Sequence, residues 1–133
     1  MIVNQYIFTW LLSAVLAGGA LFAQSPKDST AADSNKVMIT IILRPNQDMS
    51  VTEIQQQMLE NGFWKVFPPE DADVISWYVV MGVGQIITVK VPASKLSELN
   101  SAVESAAWGA YSTEFYPSYD YIPVFKDMKG KYR

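Results

Sequence analysis

The chain has 133 residues, half of them apolar, and its 13 acidic side chains outnumber 10 basic ones for a net charge of −3. It contains no cysteine and no histidine, which excludes disulfide staples, thiol chemistry, histidine-based triads and ordinary zinc sites. Any catalysis would fall to carboxylate, Tyr, Lys, Arg or hydroxyl side chains, or to a bound cofactor.

Met1 to Gln24 carries no charged side chain. Its centre, Ile7 to Ala17, is apolar, and Gly18-Gly19-Ala20 and Leu21-Phe22-Ala23 follow. That pattern predicts an export signal over residues 1–23, cut after Ala23, and a periplasmic or secreted product. The alternative is an uncleaved anchor, since a span needs about 20 apolar residues; membrane contact would then run through this segment alone. Residues 24–36 are rich in Ser, Asp and Ala and read as a flexible leader.

Val37 to Arg44 is predicted as a strand, stopped by Pro45-Asn46. Ser50-Val51-Thr52-Glu53 is a capping box opening a helix, with Met49 and Ile54 at the staple positions. Val51, Ile54 and Met58 form its expected buried stripe, and Asn61-Gly62 stops it. Phe63 to Pro69 reads as an aromatic connector packed over a helix end. Val74 to Met81 and Gln85 to Val91 are strands joined by Gly82-Val83-Gly84. A dinucleotide-binding reading of those glycines fails, because a β-rich run follows where a helix should begin. Pro92-Ala93-Ser94 opens a second helix with Leu96, Leu99 and Val103 on one face, closed by Trp108-Gly109. Tyr111 to Tyr116 alternates as a fourth strand ended by Pro117, and a domain over residues 37–125 gives way to a basic tail over 126–133.

This order predicts an α+β fold: a split βαββαβ arrangement with a four-stranded antiparallel sheet and both helices on one face. It resembles the ferredoxin-like fold and, within it, the dimeric α+β barrel proteins. The segments Ser76 to Gln85, Ala107 to Tyr111 and Thr113 to Tyr116 are also similar to a group of small exported bacterial proteins. The resemblance covers about Val37 to Phe125 and brings no activity with it. The catalytic histidines of the wider barrel superfamily have no counterpart here.

Strand alternation assigns Val37, Ile39, Ile41, Leu43, Ile75, Trp77, Val79, Met81, Ile87, Val89 and Val91 to the helix-covered face. The other face then carries Met38, Thr40, Ile42, Arg44, Ser76, Tyr78, Val80, Ile86, Thr88 and Lys90. A fully solvated face would be more polar, so a second copy is expected to cover it, forming a homodimer that encloses a cavity. The candidate ligand-binding residues there are Arg44, Tyr78, Glu114, Thr40 and Thr88. Arg44 has the geometry to fork onto a carboxylate ligand, the competing reading being an ion pair with Glu114. Glu114 becomes a base candidate if burial raises its pKa, against a plain exposed carboxylate. Tyr78 is either a donor to a ligand or a packing residue.

Two further clusters carry paired readings. Tyr111, Tyr116, Tyr119 and Tyr121 with Phe115 and Phe125 either stack on a sugar or seal the core. Glu70-Asp71-Ala72-Asp73 lacks the glycine and spacing of a calcium loop and reads as a solvated turn. Val37 to Phe125 holds four basic residues against ten acidic ones, a net of −6, which argues against nucleic-acid binding. No metal site and no cofactor are expected. The expected function is a small exported domain that dimerises through its sheet face and binds an apolar or aromatic ligand or a partner. The alternatives are an isomerase-like enzyme of the dimeric barrel type acting on a small acidic or aromatic substrate, and a structural or inhibitory partner of another exported protein.

Overall fold

Strand β1 (Lys36–Pro45) organises the domain. Its Val and Ile residues are stiff at χ1 and suit a pleated surface, and alternation sends Ile39, Ile41 and Leu43 into the core. In the computed structural model the described residues are 35–133; the predicted export signal and the expected leader up to Ser34 lie outside them. β1 pairs antiparallel with β3 (Gly84–Pro92) on one side and with β4 (Tyr111–Ser118) on the other. β2 (Asp73–Val80) pairs antiparallel with β3, so the sheet order is β2-β3-β1-β4. The chain is an α+β protein with one four-stranded antiparallel sheet.

Helix α1 (Val51–Glu60) starts where the capping box predicts. The Ser50 amide donates to Glu53 Oε2 at 2.7 Å and the Glu53 amide donates to Ser50 Oγ at 3.3 Å, so two otherwise orphaned donors are satisfied. Ile54 and Met58 are buried, whereas Val51 is 72% exposed, against expectation. The first turn of α1 stands beside a groove rather than over the core. The predicted aromatic connector contains a helical turn, α2 (Phe63–Val66), entered through Gly62 at φ 73°. Phe63 is fully buried, stacks on Phe67 at 5.1 Å and meets Trp77 edge-on at 6.2 Å.

A 3-10 turn (Ala93–Lys95) leads into α3 (Leu96–Ala107). Leu99, Val103, Ala106 and Ala107 are buried, while Leu96 in the first turn stays partly exposed. Asn61 donates to the carbonyls of Ala106 and Trp108 at 3.0 and 2.9 Å. It thereby satisfies acceptors at the end of α3 and ties the ends of the two long core helices together. The core lies between these helices and one face of the sheet, and among the described residues no polar or charged side chain is buried.

Three expectations change at the margins. β2 carries a one-residue irregularity between Val74 and Ser76, so Val74 takes the position opposite Val89 and Ile75 bulges out. Of the β2 residues assigned to the core face, Trp77 alone packs against the core. Val79 is 77% exposed and Met81 lies in the turn, because β2 is an edge strand and the helices do not reach over its far end. Pro117 does not end β4 but sits opposite Ile39 inside it, which an edge strand allows on the side with no partner for a missing N–H. The residues beyond Phe125 are helical as well: α4 (Ile122–Lys131) has proline in its first turn. None of its residues is buried, and among the described residues it packs substantially against no other element.

Gly84 closes the β2–β3 turn at φ 127°, and a Cβ there would lie 2.1 Å from the Leu43 carbonyl oxygen. Only glycine lets β3 approach β1 at this point. Among the described residues no helix is long and apolar enough to cross a membrane.

Candidate functional site

The open face of the sheet is a grid of four rows whose positions follow from register. Asp73, Lys90, Met38 and Ser118 form the first row, and Ser76, Thr88, Thr40 and Tyr116 the second. Tyr78, Ile86, Ile42 and Glu114 form the third, and Val80, Gly84, Arg44 and Ser112 the fourth. Met38, Ile42 and Ile86 in the middle are half-buried, and no residue of this face is fully buried.

Three of the five predicted site residues, Thr40, Arg44 and Glu114, lie on the β1–β4 side of this grid, with Thr88 beside them on β3. Thr40 and Thr88 are directly opposed, and the Thr40 and Ser118 hydroxyls lie 2.9 Å apart. Arg44 Nε donates to Glu114 Oε1 across the diagonal between β1 and β4. The Tyr116 hydroxyl donates to the other oxygen, Oε2, at 2.7 Å. The hydrogen bond from Arg44, then that from Tyr116, holds the Glu114 carboxyl below its ordinary range against some desolvation. The same contacts push the Arg44 guanidinium and the Tyr116 phenol up. The shift at Glu114 is opposite in sign to the one a general base needs, and the carboxylate is held by two donors.

Tyr78 stands apart. It occupies the far strand of the Glu114 row, three strand spacings or about 14 Å away, and is largely exposed. Sequence reasoning named Tyr116 only within the tyrosine cluster and passed over Ser118; the two complete the polar cluster at the β1–β4 margin. Their signal was parity: both lie an even number of residues from Glu114 on one strand.

The helix-covered side holds a second feature that the sequence reading passed over. A groove of about 580 Å³ runs between α1 and the ends of β2 and β3. Val51, Met58 and Leu59 form one wall, and Trp64, Trp77 and Val79 the other. At its base Trp77 Nε1 donates to Gln85 Oε1 at 2.6 Å, and Gln85 Nε2 donates to the Tyr111 hydroxyl at 2.8 Å. Trp64 stacks against Trp77 with centroids 6.0 Å apart. The lip residues Val51, Leu59, Trp64 and Val79 are all more than half exposed, which leaves a contiguous apolar surface of the kind that marks an interaction site. A surplus of large apolar residues around α1, beyond what one buried stripe uses, was its sequence signature.

The tyrosine-rich segment does not form one platform. Tyr111 lines the groove, Tyr116 binds Glu114, and Tyr119 and Tyr121 meet edge-on at 6.3 Å in the exposed link to α4. Asp73 of the acidic run takes a 2.6 Å hydrogen bond from Lys36. Among the described residues no group of three or more acidic side chains is placed to hold a metal ion. Comparison with known proteins finds no family model that matches this chain and no curated protein similar to it.

Proposed function

We propose that this chain is an exported binding domain of ferredoxin-like architecture that pairs with a second copy across its open sheet face. A small apolar or aromatic ligand is held between the two sheets. The apolar, uncharged segment at the N-terminus supports export. The sheet order, with α1 and α3 each crossing between strands, supports the ferredoxin-like reading.

One observation carries the proposal. The open face has a mostly apolar centre, Met38, Ile42 and Ile86 around the opposed Thr40 and Thr88, and a polar β1–β4 margin with Arg44, Glu114 and Tyr116. A two-fold axis through such a face sets apolar centre on apolar centre and leaves the charged margin at the rim. A binding role is favoured over isomerase-like catalysis because Glu114 is engaged by two donors and Tyr78 lies across the sheet from it.

Light scattering over a concentration series tests the pairing. The expected result is a smaller mass for Ile42→Asp than for the natural chain at the same concentration, with unchanged circular dichroism. A natural chain that stays monomeric at every concentration, with no small molecule retained in native mass spectra, removes the proposal.

A further inference from the structure

We infer that α4 of one copy docks in the α1–β2 groove of another, so that copies of this chain exchange their C-terminal helices. The contact uses the helix-covered side of the domain and stands independently of pairing through the open face.

Among the described residues, two apolar surfaces lack partners. The groove presents Val51, Leu59, Trp64 and Val79 at its lips. α4 with its N-cap presents Tyr121, Phe125, Met128 and Tyr132, all substantially exposed. Their i, i+4, i+7, i+11 spacing places them on one helix face, the arrangement by which an amphipathic helix anchors in a groove. α1, which forms one wall, is ten residues long, and so is α4; each spans about 15 Å, so the two can lie side by side along their full length.

Charge favours this occupant. Lys126, Lys129, Lys131 and Arg133 oppose a single acid, Asp127, in the C-terminal segment. α1 contributes Glu53 and Glu60 and no basic residue. An anionic bilayer is the other natural target for a basic amphipathic helix. The domain that carries α4, with its net of −6 from Val37 to Phe125, would be repelled by that surface, whereas the same charge on another copy attracts the helix.

Topology favours an intermolecular contact. α4 leaves the sheet from Ser118, while the groove lies at the opposite end of β4, beside Tyr111. Those ends are about 24 Å apart along the strand. The helix begins four residues after Ser118, within about 14 Å of it even for an extended link. It therefore starts short of the Tyr111 end of its own groove, and it packs substantially against no other described element, which leaves that groove open to another copy's helix.

The absence of cysteine makes a crosslinking test clean. Leu59→Cys, on the groove lip, and Met128→Cys, on α4, are made in separate full-length chains, mixed and mildly oxidised. The expected product is a covalent heterodimer, several-fold more abundant than that from Met128→Cys with Glu104→Cys, which places the thiol on exposed α3. Added salt should lower its yield. Introducing Ile42→Asp into both chains should leave the crosslink in place, so failure of the sheet-face pairing and failure of helix exchange are separate results. Equal yields from the two pairings overturn the inference. So does a cyclised monomer as the main product of a chain carrying both Leu59→Cys and Met128→Cys, or binding to phosphatidylglycerol vesicles with no crosslink.

Discussion

Glu114 illustrates how one side chain's neighbours decide its chemistry. With Arg44 and Tyr116 both donating to it, its carboxyl is held below the ordinary carboxylate range. A group whose pKa is depressed by folding contributes stability above its unfolded pKa and loses that contribution as pH falls through the folded value. The side chains are substantially solvent-exposed, so the pair is expected to contribute little to overall stability. A carboxylate NMR titration should place the Glu114 midpoint below the ordinary range, and Tyr116→Phe should move it up; an ordinary midpoint in the natural chain would mean that the cluster does not form in solution. Gly84 is decided by space rather than charge. Gly84→Ala forces both a Cβ against the Leu43 carbonyl and a strained φ, and should cost about 3 kcal/mol or more in chemical denaturation. A loss under 1 kcal/mol would contradict the close β1–β3 approach at this point. Both residues were conspicuous in the sequence, Glu114 as an acid on a strand and Gly84 as a turn glycine. The Arg44 partner of Glu114 was also readable, as an ion pair between two residues of one face, whereas the approach of Leu43 to Gly84 was not, because the two are tens of residues apart and meet only through sheet register.

Among the elements, α1 was the most legible, because its start signal is local: the two hydrogen bonds of the capping box span three residues. Ser50→Ala should cost about 1 kcal/mol of stability, the usual worth of such a cap, measured as a shift in the denaturation midpoint; no shift would mean that water replaces the cap without loss. The alternation of β1 and β3 was legible for a related reason. Both are central strands, buried on one face along most of their length, so the pattern is strict. The edge strands carried a weaker signal. The bulge at Ile75 reverses the parity on which a face assignment depends, and Val79 and Met81 are apolar without being covered. Pro117 reads as a strand end to any local rule, and only its place on an edge makes it tolerable. α4 was hidden by its charge. Its lysines suggest a solvated tail, and the i, i+4, i+7 spacing of Tyr121, Phe125 and Met128 is noticed once the helix itself is present.

At the scale of the molecule, an acidic body carries a basic helix at one corner, and apolar residues are left over on both sides of the sheet. The split βαββαβ order was readable because each element leaves a periodic trace. The groove was not, because a groove is a property of what neighbouring elements fail to cover, and periodicity in one segment does not report where the next one stops. The two sheet edges have their own bearing on how such a molecule can associate. β2 is interrupted by a bulge and β4 contains a proline, and each is a recognised device for keeping a neighbouring strand from adding on. Open-ended stacking, strand upon strand, is thus disfavoured at both edges. What remains open to a partner is faces and grooves, surfaces that one occupant fills, unlike a strand edge, which every added strand would renew.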